Sequence, residues 1–316
     1  MPRRGLGWGG PWLAAGVLCL LAGCAGARDP GLDAGLPDAD GGGGEPFEFT
    51  LLTWNVHDLF DPYDDPSSFD DVPSVGQVDE KLRVLGRVIA SANADVVLLQ
   101  EVENLPILER LADGPLAGMG YTERVLVEAG EPRGIDVALL SRLPVERVAS
   151  HAEERFASLD GSRTYTFARD ALEVFVSAGG VEIDLVVLHL RSMLGGADAE
   201  AHRQAEAQQV RRIVEARLGA GVERIIVAGD INDVPGSATY ALLLENGALS
   251  EITDVLPASE RWTTNFGGTP RFFDYIFGSA LAESAAIPET VEVLRGAEVT
   301  AASDHWPVFA RFRIAH

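Results

Sequence analysis

Six apolar runs of this chain end in acids, amides or imidazoles. They leave Asn55 in TWNV, Glu101 in LLQEVEN, His189 in VVLHLRS, Asp230 and Asn232 in GDIND, Asp274 in FFDYIF, and Asp304 and His305 in SDHWPV. Each run reads as a buried strand, and strand ends are where α/β proteins gather side chains for chemistry. Asn55, Glu101, Asp230, Asn232 and Asp304 are all oxygen donors. Oxygen-only sets suit Mg²⁺, Mn²⁺ or Ca²⁺ better than zinc, and no HExxH, CxxC or lysine-bearing phosphate loop competes with that reading. A hard cation on one or two carboxylates, with open positions for water, is the usual arrangement for chemistry on phosphate esters. Glu101 is the expected ligand.

The chain has six histidines. His189 and His305 stand where strands meet loops, and an imidazole there needs a carboxylate or carbonyl to fix its tautomer. Asp136 in RGIDVALL and Asp274 are acids in otherwise apolar strands, which is costly unless each is paired. Two histidines and two buried acids predict two dyads. His57, His151, His202 and His316 read as surface residues.

These groups need a scaffold. Phe47 to Asn55 reads as a strand, Asp79 to Ser91 as a helix capped by Asp79, and Ala94 to Gln100 as a strand, which together predict a βαβ start. Ile135 to Ser141, Thr164 to Ser177 and Val181 to Leu190 follow as strands, the last two joined by a hairpin through Gly179 and Gly180. Ala197 to Leu218 is a helix stopped by Gly219. Ile225 to Gly229, Phe272 to Phe277, Val291 to Leu294 and Val308 to Phe312 complete the strands. Helices between some strands and none between others predict an α/β fold: two face-to-face mixed β-sheets flanked by helices, a four-layer α/β/β/α sandwich.

Residues 1–24 read as a targeting segment, with Arg3 and Arg4 before an apolar stretch too short to span a bilayer. Its end, Leu21 to Cys24, resembles a bacterial lipobox, which implies cleavage before Cys24 and lipidation of its sulfur. Residues 25–46, rich in Gly and Asp, read as a flexible tether, and 47–316 as a single domain. With Cys19 and Cys24 the only cysteines, that domain has no disulfide to rely on. An exported protein, lipid-anchored in the cell envelope at the outer membrane or released from it, and monomeric, is the expectation. The formal charge of −23 argues against holding nucleic acid by charge neutralisation alone. Arginines or bound cations would have to receive any polyanion, since Lys81 is the only lysine.

The motifs NVHDLFDPYDDP, LLQEVENLPIL, EPRGIDVALLSR, HLRSMLGGADAEAHRQAEA, GDINDVP and SDHWPV together resemble the metal-dependent endonuclease/exonuclease/phosphatase superfamily, and within it bacterial secreted nuclease-like lipoproteins. The resemblance runs from about Leu51 to Val308. It implies Glu101 as principal ligand of Mg²⁺ or Mn²⁺, with Asn55 on the metal or phosphate and Asp304 beside them. It implies that Asp230 prepares the attacking water and that Asn232 holds it. His305 would face the scissile phosphate, oriented by Asp274. His189 would be a second catalytic histidine paired with Asp136, and Arg169 a phosphate contact. Two features depart from the pattern: Phe272 stands where an arginine is common, with Arg271 displaced by one, and His57 where glutamate is usual.

The function implied is a phosphodiesterase, with nucleic acid the leading substrate. A lipid or inositol phosphoester is the alternative, and would require a hydrophobic rim that no aromatic-rich insertion supplies. A binding lipoprotein that kept the fold without catalysis is the third reading. The acidic run Asp61, Asp64, Asp65, Asp70 and Asp71 reads as a solvated loop, with Ca²⁺ binding as the alternative.

Overall fold

Alternation in β1 (Phe47–Leu59) sends Phe49, Leu51 and Thr53 to one face and Leu52, Trp54 and Val56 to the other, and all six are buried. The computed structural model describes residues 45–315. The targeting segment, Cys24, nearly all of the tether and His316 lie outside the described residues.

Helix α1 (Val75–Ala92) begins at Ser74, ahead of the expected Asp79. Ser74 and Gln77 form a reciprocal capping box that satisfies two backbone donors at once, whereas Asp79 pairs with Arg110. Strand β2 (Val96–Val102) runs parallel to β1, completing the expected βαβ unit. Helix α2 (Leu105–Asp113), capped by Asn104, leads to β3 (Glu123–Leu126) and β4 (Asp136–Ser141).

The chain then builds a second sheet from β5 (Val145–Ala149), β8 (Leu172–Ala178), β9 (Val181–His189) and β10 (Ile225–Asp230), after a small ladder of β6 (Phe156–Ala157) with β7 (Thr164–Tyr165). The strand expected from Thr164 to Ser177 is therefore broken. Between its halves Phe167 packs on Phe156, and Ala168 N–H donates to the buried Glu206 carboxylate instead of to a ladder. That detour brings Arg169 to the cavity that Glu101 and Asp230 also line. The hairpin between β8 and β9 forms as expected, with Gly179 and Gly180 at φ 62° and 88°. Helix α3 (Gly196–Gly219) crosses from β9 to the parallel β10, a second βαβ unit.

Helix α4 (Ala238–Leu244), β11 (Ser250–Glu251), the hairpin β12 (Thr264–Phe266) and β13 (Thr269–Arg271), β14 (Asp274–Gly278) and α5 (Ala280–Ala285) follow. The chain returns to the first sheet through β15 (Glu292–Val293), α6 (Ala297–Ala302) and β16 (Val308–Ile314). The strand orders are β15-β16-β1-β2-β4-β3 and β11-β14-β10-β9-β8-β5. Each sheet has one parallel pair, β1 with β2 and β9 with β10, among antiparallel neighbours.

Leu51, Leu98 and Leu139 of the first sheet and Val174, Leu185 and Val187 of the second belong to one core cluster, which Val210 and Val214 of α3 extend. Leu52, Trp54 and Val97 on the other face of the first sheet pack against Leu82, Leu85 and Ile89 of α1 and Leu108 and Leu111 of α2. Burial of each such side chain is worth about 1.5–3 kcal/mol. The result is the expected four-layer sandwich. Among the described residues no helix is long and apolar enough to cross a membrane.

Candidate active site

Asp230, the last residue of β10, is in register with His189 of β9 on one side and with Asp274 of β14 on the other. In-register residues project from the same face of a sheet, so these three form a row. The ends of β1 and β2 face it from the other sheet. Asn55 Nδ2 donates to Asp230 Oδ2 and to Glu101 Oε1, both at 3.0 Å, while Asn55 Oδ1 accepts from His57 N–H at 3.0 Å. The Asn55 amide thus bridges the sheets, and its oxygen is engaged by backbone.

The backbone is bent to make this possible. Six non-glycine residues among those described have positive φ, and four of them, His57, Asp58, Glu101 and Asn232, are at the site. Left-handed backbone costs free energy that ordinary strands avoid; here it turns Glu101 inward from an irregularity in the β2 ladder. The glycine of GDIND is required for a related reason. A Cβ on Gly229, at φ 139°, would lie 2.0 Å from the Leu188 carbonyl oxygen.

One expected dyad is present. His305 Nδ1 lies 2.8 Å from Asp274 Oδ2, and both residues are buried. Ser303 fixes the loop that carries His305: its Oγ donates to the Asn55 carbonyl and accepts from His305 N–H, while Trp54 Nε1 donates to the His305 carbonyl. Burial alone would discharge the His305 ring, but the charges of Asp274, Asp230 and Asp304 prevail and push it up to about 10. Burial, followed by repulsion from Asp274, pushes Asp230 up to about 7.

The second dyad does not form. His189 is buried, its Nδ1 has no hydrogen-bond partner, and its Nε2 lies 3.8 Å from Glu101 Oε1 and 3.7 Å from Asp230 Oδ2. Asp136, the expected partner, instead accepts from Ala129 N–H at 2.9 Å and lines a separate acidic cavity with Asp61, Asp64, Asp65, Glu103 and Glu131. The physical reason is position in the sheets: Asp136 starts β4, on the far side of β2 from β1, and the 127–135 loop folds over its carboxylate. Desolvation, reinforced by the charges of Arg169, His305 and Arg133, holds the His189 pKa well below its ordinary value. Burial thus favours the neutral His189 ring over the imidazolium.

A cavity of about 370 Å³ opens over the row. Asn55, Glu101, His189, Asp230, Asn232, Arg169, Asp304 and His305 all line it. Asn232 donates from Nδ2 to the Leu190 carbonyl, and its N–H is held by Asp230 Oδ1 at 2.7 Å. Arg169 is buried, with Nε and Nη1 unpartnered and Nη2 3.7 Å from Glu131. Asp304 is exposed at the rim, 3.5 Å from His57 Nδ1.

Asp58, Arg133, Leu194 and Phe266 are among the lining residues that escaped the sequence reading. Asp58 pairs with Arg133. The available signal was their place within NVHDLF, close to Asn55, and within the EPRG turn. Leu194 and Phe266 line the cavity and are exposed, and Met193, next to Leu194 in the chain, is exposed as well. An apolar rim, expected to be absent, is therefore present. His151 and His202 are also not surface residues. His151 lies between Glu154 and Glu173, and His202 stacks on Tyr165 at 4.3 Å. Phe272, at the departing position, is buried edge-on to Tyr275, and the Arg261 guanidinium covers it.

Two donor sets in the cavity are relevant to a cation. Ligand atoms of Asp230, Asp274 and His305 lie within 4.8 Å of one another, close enough to hold a metal ion. In that set, however, Nδ1 of His305 is engaged by Asp274, and the proton on the ring already offsets carboxylate charge. Glu101 is different. Burial and then repulsion from Asp58 raise its pKa, against the Asn55 amide, the Asp58 N–H and the more distant charge of Arg169. A half-buried carboxylate raised in this way is what a hard cation relieves, and Asp58 and Asp304, which line the same cavity, offer further oxygens of the kind it prefers. The residues present fit a divalent cation.

A two-sheet sandwich with an acid, amide and imidazole cluster where its central strands end defines a class of hydrolytic enzymes. The Endonuclease/Exonuclease/phosphatase family model matches residues 52–305, and the chain belongs to that family of hydrolases. No curated protein matches it. Among solved structures, the human Nocturnin catalytic domain with bound sulfate superposes with a TM-score of 0.59 at 18% identity, covering 84% of this chain and 94% of that one. An endonuclease/exonuclease/phosphatase from Beutenbergia cavernae gives 0.58 at 21% identity, covering 85% and 72%. A beta toxin from Staphylococcus aureus gives 0.56 at 18%, covering 83% and 99%. Identities this low carry the fold and not the substrate.

Proposed function

We propose that this protein is a divalent-cation-dependent phosphodiesterase that hydrolyses nucleic-acid phosphodiester bonds by in-line attack of water. The register row of His189, Asp230 and Asp274, closed by Asn55, Glu101 and His305, is the observation that carries the reading. Asp230, poised near neutrality, suits a general base that takes a proton from water. Asn232, held by Asp230 and the Leu190 carbonyl, fixes the adjacent backbone. The charged His305 ring, oriented by Asp274, and the unpartnered nitrogens of Arg169 meet the phosphoryl oxygens. His189, neutral, donates a hydrogen bond without carrying charge into the site. Mg²⁺ or Mn²⁺ at Glu101, with Asp58 and Asp304, would offset phosphoryl charge and polarise the ester.

A chain this acidic needs such local cations to receive a polyanion. Arg133 and Arg169 at the cavity are consistent with that need. A second reading, a lipid phosphoester, is favoured by one observation: the exposed apolar side chains of Leu194 and Phe266 that line the cavity. Hydrolysis of DNA, RNA, sphingomyelin vesicles and bis-p-nitrophenyl phosphate with Mg²⁺, with Mn²⁺ and with EDTA separates the readings. Cation-dependent cleavage of DNA or RNA is expected. Cleavage confined to sphingomyelin would transfer the assignment to the lipid reading, and inertness on all four would leave a binding protein.

The same proposal includes export and a lipid anchor at Cys24, with residues 25–46 as tether and 47–316 as a monomeric catalytic domain. Its basis is the sequence of the first 24 residues. Partition of the protein, but not of Cys24→Ser, into a detergent phase is the expected result.

A further inference from the structure

The chain's only lysine lies beneath this site. Lys81 Nζ, from α1, donates to the His57 carbonyl at 2.9 Å and to the Ala302 carbonyl at 2.6 Å. The His57 carbonyl and the Asp58 N–H belong to one planar peptide group, and that N–H donates to Glu101 Oε2 at 3.0 Å. One peptide in left-handed backbone is thus pinned at both ends, by Lys81 on its oxygen and by the carboxylate of Glu101 on its nitrogen. The second Lys81 bond holds the last residue of α6, directly before Ser303, Asp304 and His305. Asp58, Glu101 and Asp304 are the carboxylates whose charge reaches the ammonium.

We infer that Lys81 is a positioning residue for the divalent cation: by joining the His57–Asp58 peptide to the end of α6, it holds Glu101, Asp58 and Asp304 in one constellation. This rests on the cation-dependent function proposed above. A lysine does this where arginine would not, because a compact ammonium on a flexible stem directs its donors at two separate carbonyls, whereas a guanidinium presents them in a rigid planar fork. Lys81 touches neither substrate nor cation in this role, and it acts through backbone.

The sign of the effect separates this role from the alternatives. An ammonium that acted only as a neighbouring positive charge would repel a cation, so its removal would tighten binding. A group that only stabilised the fold would change unfolding and leave affinity alone. The experiment is calorimetric titration of the substrate-free protein with Mn²⁺, for wild type, Lys81→Met and Lys81→Gln, alongside urea unfolding in EDTA and the Mn²⁺ dependence of hydrolysis. The expected result is a Kd for Mn²⁺ raised about 10–100-fold in Lys81→Met, the range typical when a group supporting metal ligands is lost. At saturating Mn²⁺ the hydrolysis rate should recover part of its loss. Equal or tighter Mn²⁺ binding by Lys81→Met would overturn the inference while leaving the proposed function intact. Should Lys81→Met not fold, Lys81→Gln, too short to span both carbonyls, carries the same expectation, and equal or tighter binding by that variant overturns the inference in the same way. A wild-type protein that binds no Mn²⁺ would overturn the proposed function and this inference together.

Discussion

Asn55 and Asp230 join the two sheets at the point where their central strands end, through a hydrogen bond of 3.0 Å between Nδ2 and Oδ2. The same amide group serves the partly buried Glu101, so one side chain supports two carboxylates from different sheets. Asn55→Leu, similar in size but without donors, should destabilise the protein by about 1–3 kcal/mol, the cost of leaving buried acceptors unsatisfied, and more because these are charged. Urea unfolding in EDTA measures this. An unchanged midpoint would mean that the bridge contributes nothing.

Asp274→Asn keeps the shape of the dyad and removes its charge. In the wild type His305 stays protonated up to about 10 because Asp274 outweighs burial. Without the Asp274 charge, the opposing burial lowers the ring pKa, so the alkaline limb of the pH–rate profile should move to lower pH. Loss of such an acid–base partner typically costs ~10²–10⁴ in rate. A profile with an unmoved alkaline limb would show that the His305 charge is not used.

Gly229→Ala should unfold the site from beneath. The added methyl would meet the Leu188 carbonyl at 2.0 Å, inside the parallel pair that sets the register of His189 with Asp230. Strained backbone of this kind costs of order 1–3 kcal/mol before the steric clash is counted. A thermal midpoint equal to that of the wild type would contradict this expectation.

Asp184 makes the stability of this protein depend on pH away from the active site. It is fully buried on β9 with neither oxygen hydrogen-bonded, and burial followed by repulsion from Glu173 pushes it up to about 9, from 3.8. The folded state therefore keeps a proton that the unfolded state releases, and stability falls as pH rises from roughly 4 to 9. Glu173 has the opposite sign: against burial, Arg217 and His151 hold it at about 2, so its contribution is lost only in acid. Asp184→Asn cannot ionise. The difference in unfolding free energy between variant and wild type should grow in favour of the variant between about pH 5 and pH 9; a constant difference would refute the protonated assignment.

Much of the site was legible because strand ends announce themselves. An apolar run followed by Asn55, Glu101, His189 or Asp230 needs only period and composition to be read, and all four line one cavity. The cost of burying an acid alone predicted that Asp274 has a partner, and the family resemblance implied that the partner is His305, as the structure has it. For Asp136 the same cost called for a partner, and the one the resemblance implied, His189, is not the one found. Asp136 too is a buried acid, but one backbone N–H is its partner, and burial beside Glu128, Asp170 and Glu131 pushes it up to about 7, so that a proton can take the place of an imidazole, an outcome no local feature announces. Asp58 and Arg133 were missed because no periodicity marks which way a side chain turns where the backbone leaves its strand or forms a loop.

The chain by itself determined which residue types stand at which strand ends, that the domain opens with a βαβ unit, and that oxygen donors dominate the chemistry. Tertiary structure alone decided which of them meet. Alternation within a strand fixes the face a side chain takes relative to its neighbours, but the choice of adjacent strand and register is made by long-range pairing. That pairing sets Asp230 between His189 and Asp274, sends Asp136 elsewhere, and buries His189 beside Arg169 so that it stays neutral. Protonation, like contact, depends on what the rest of the fold brings near.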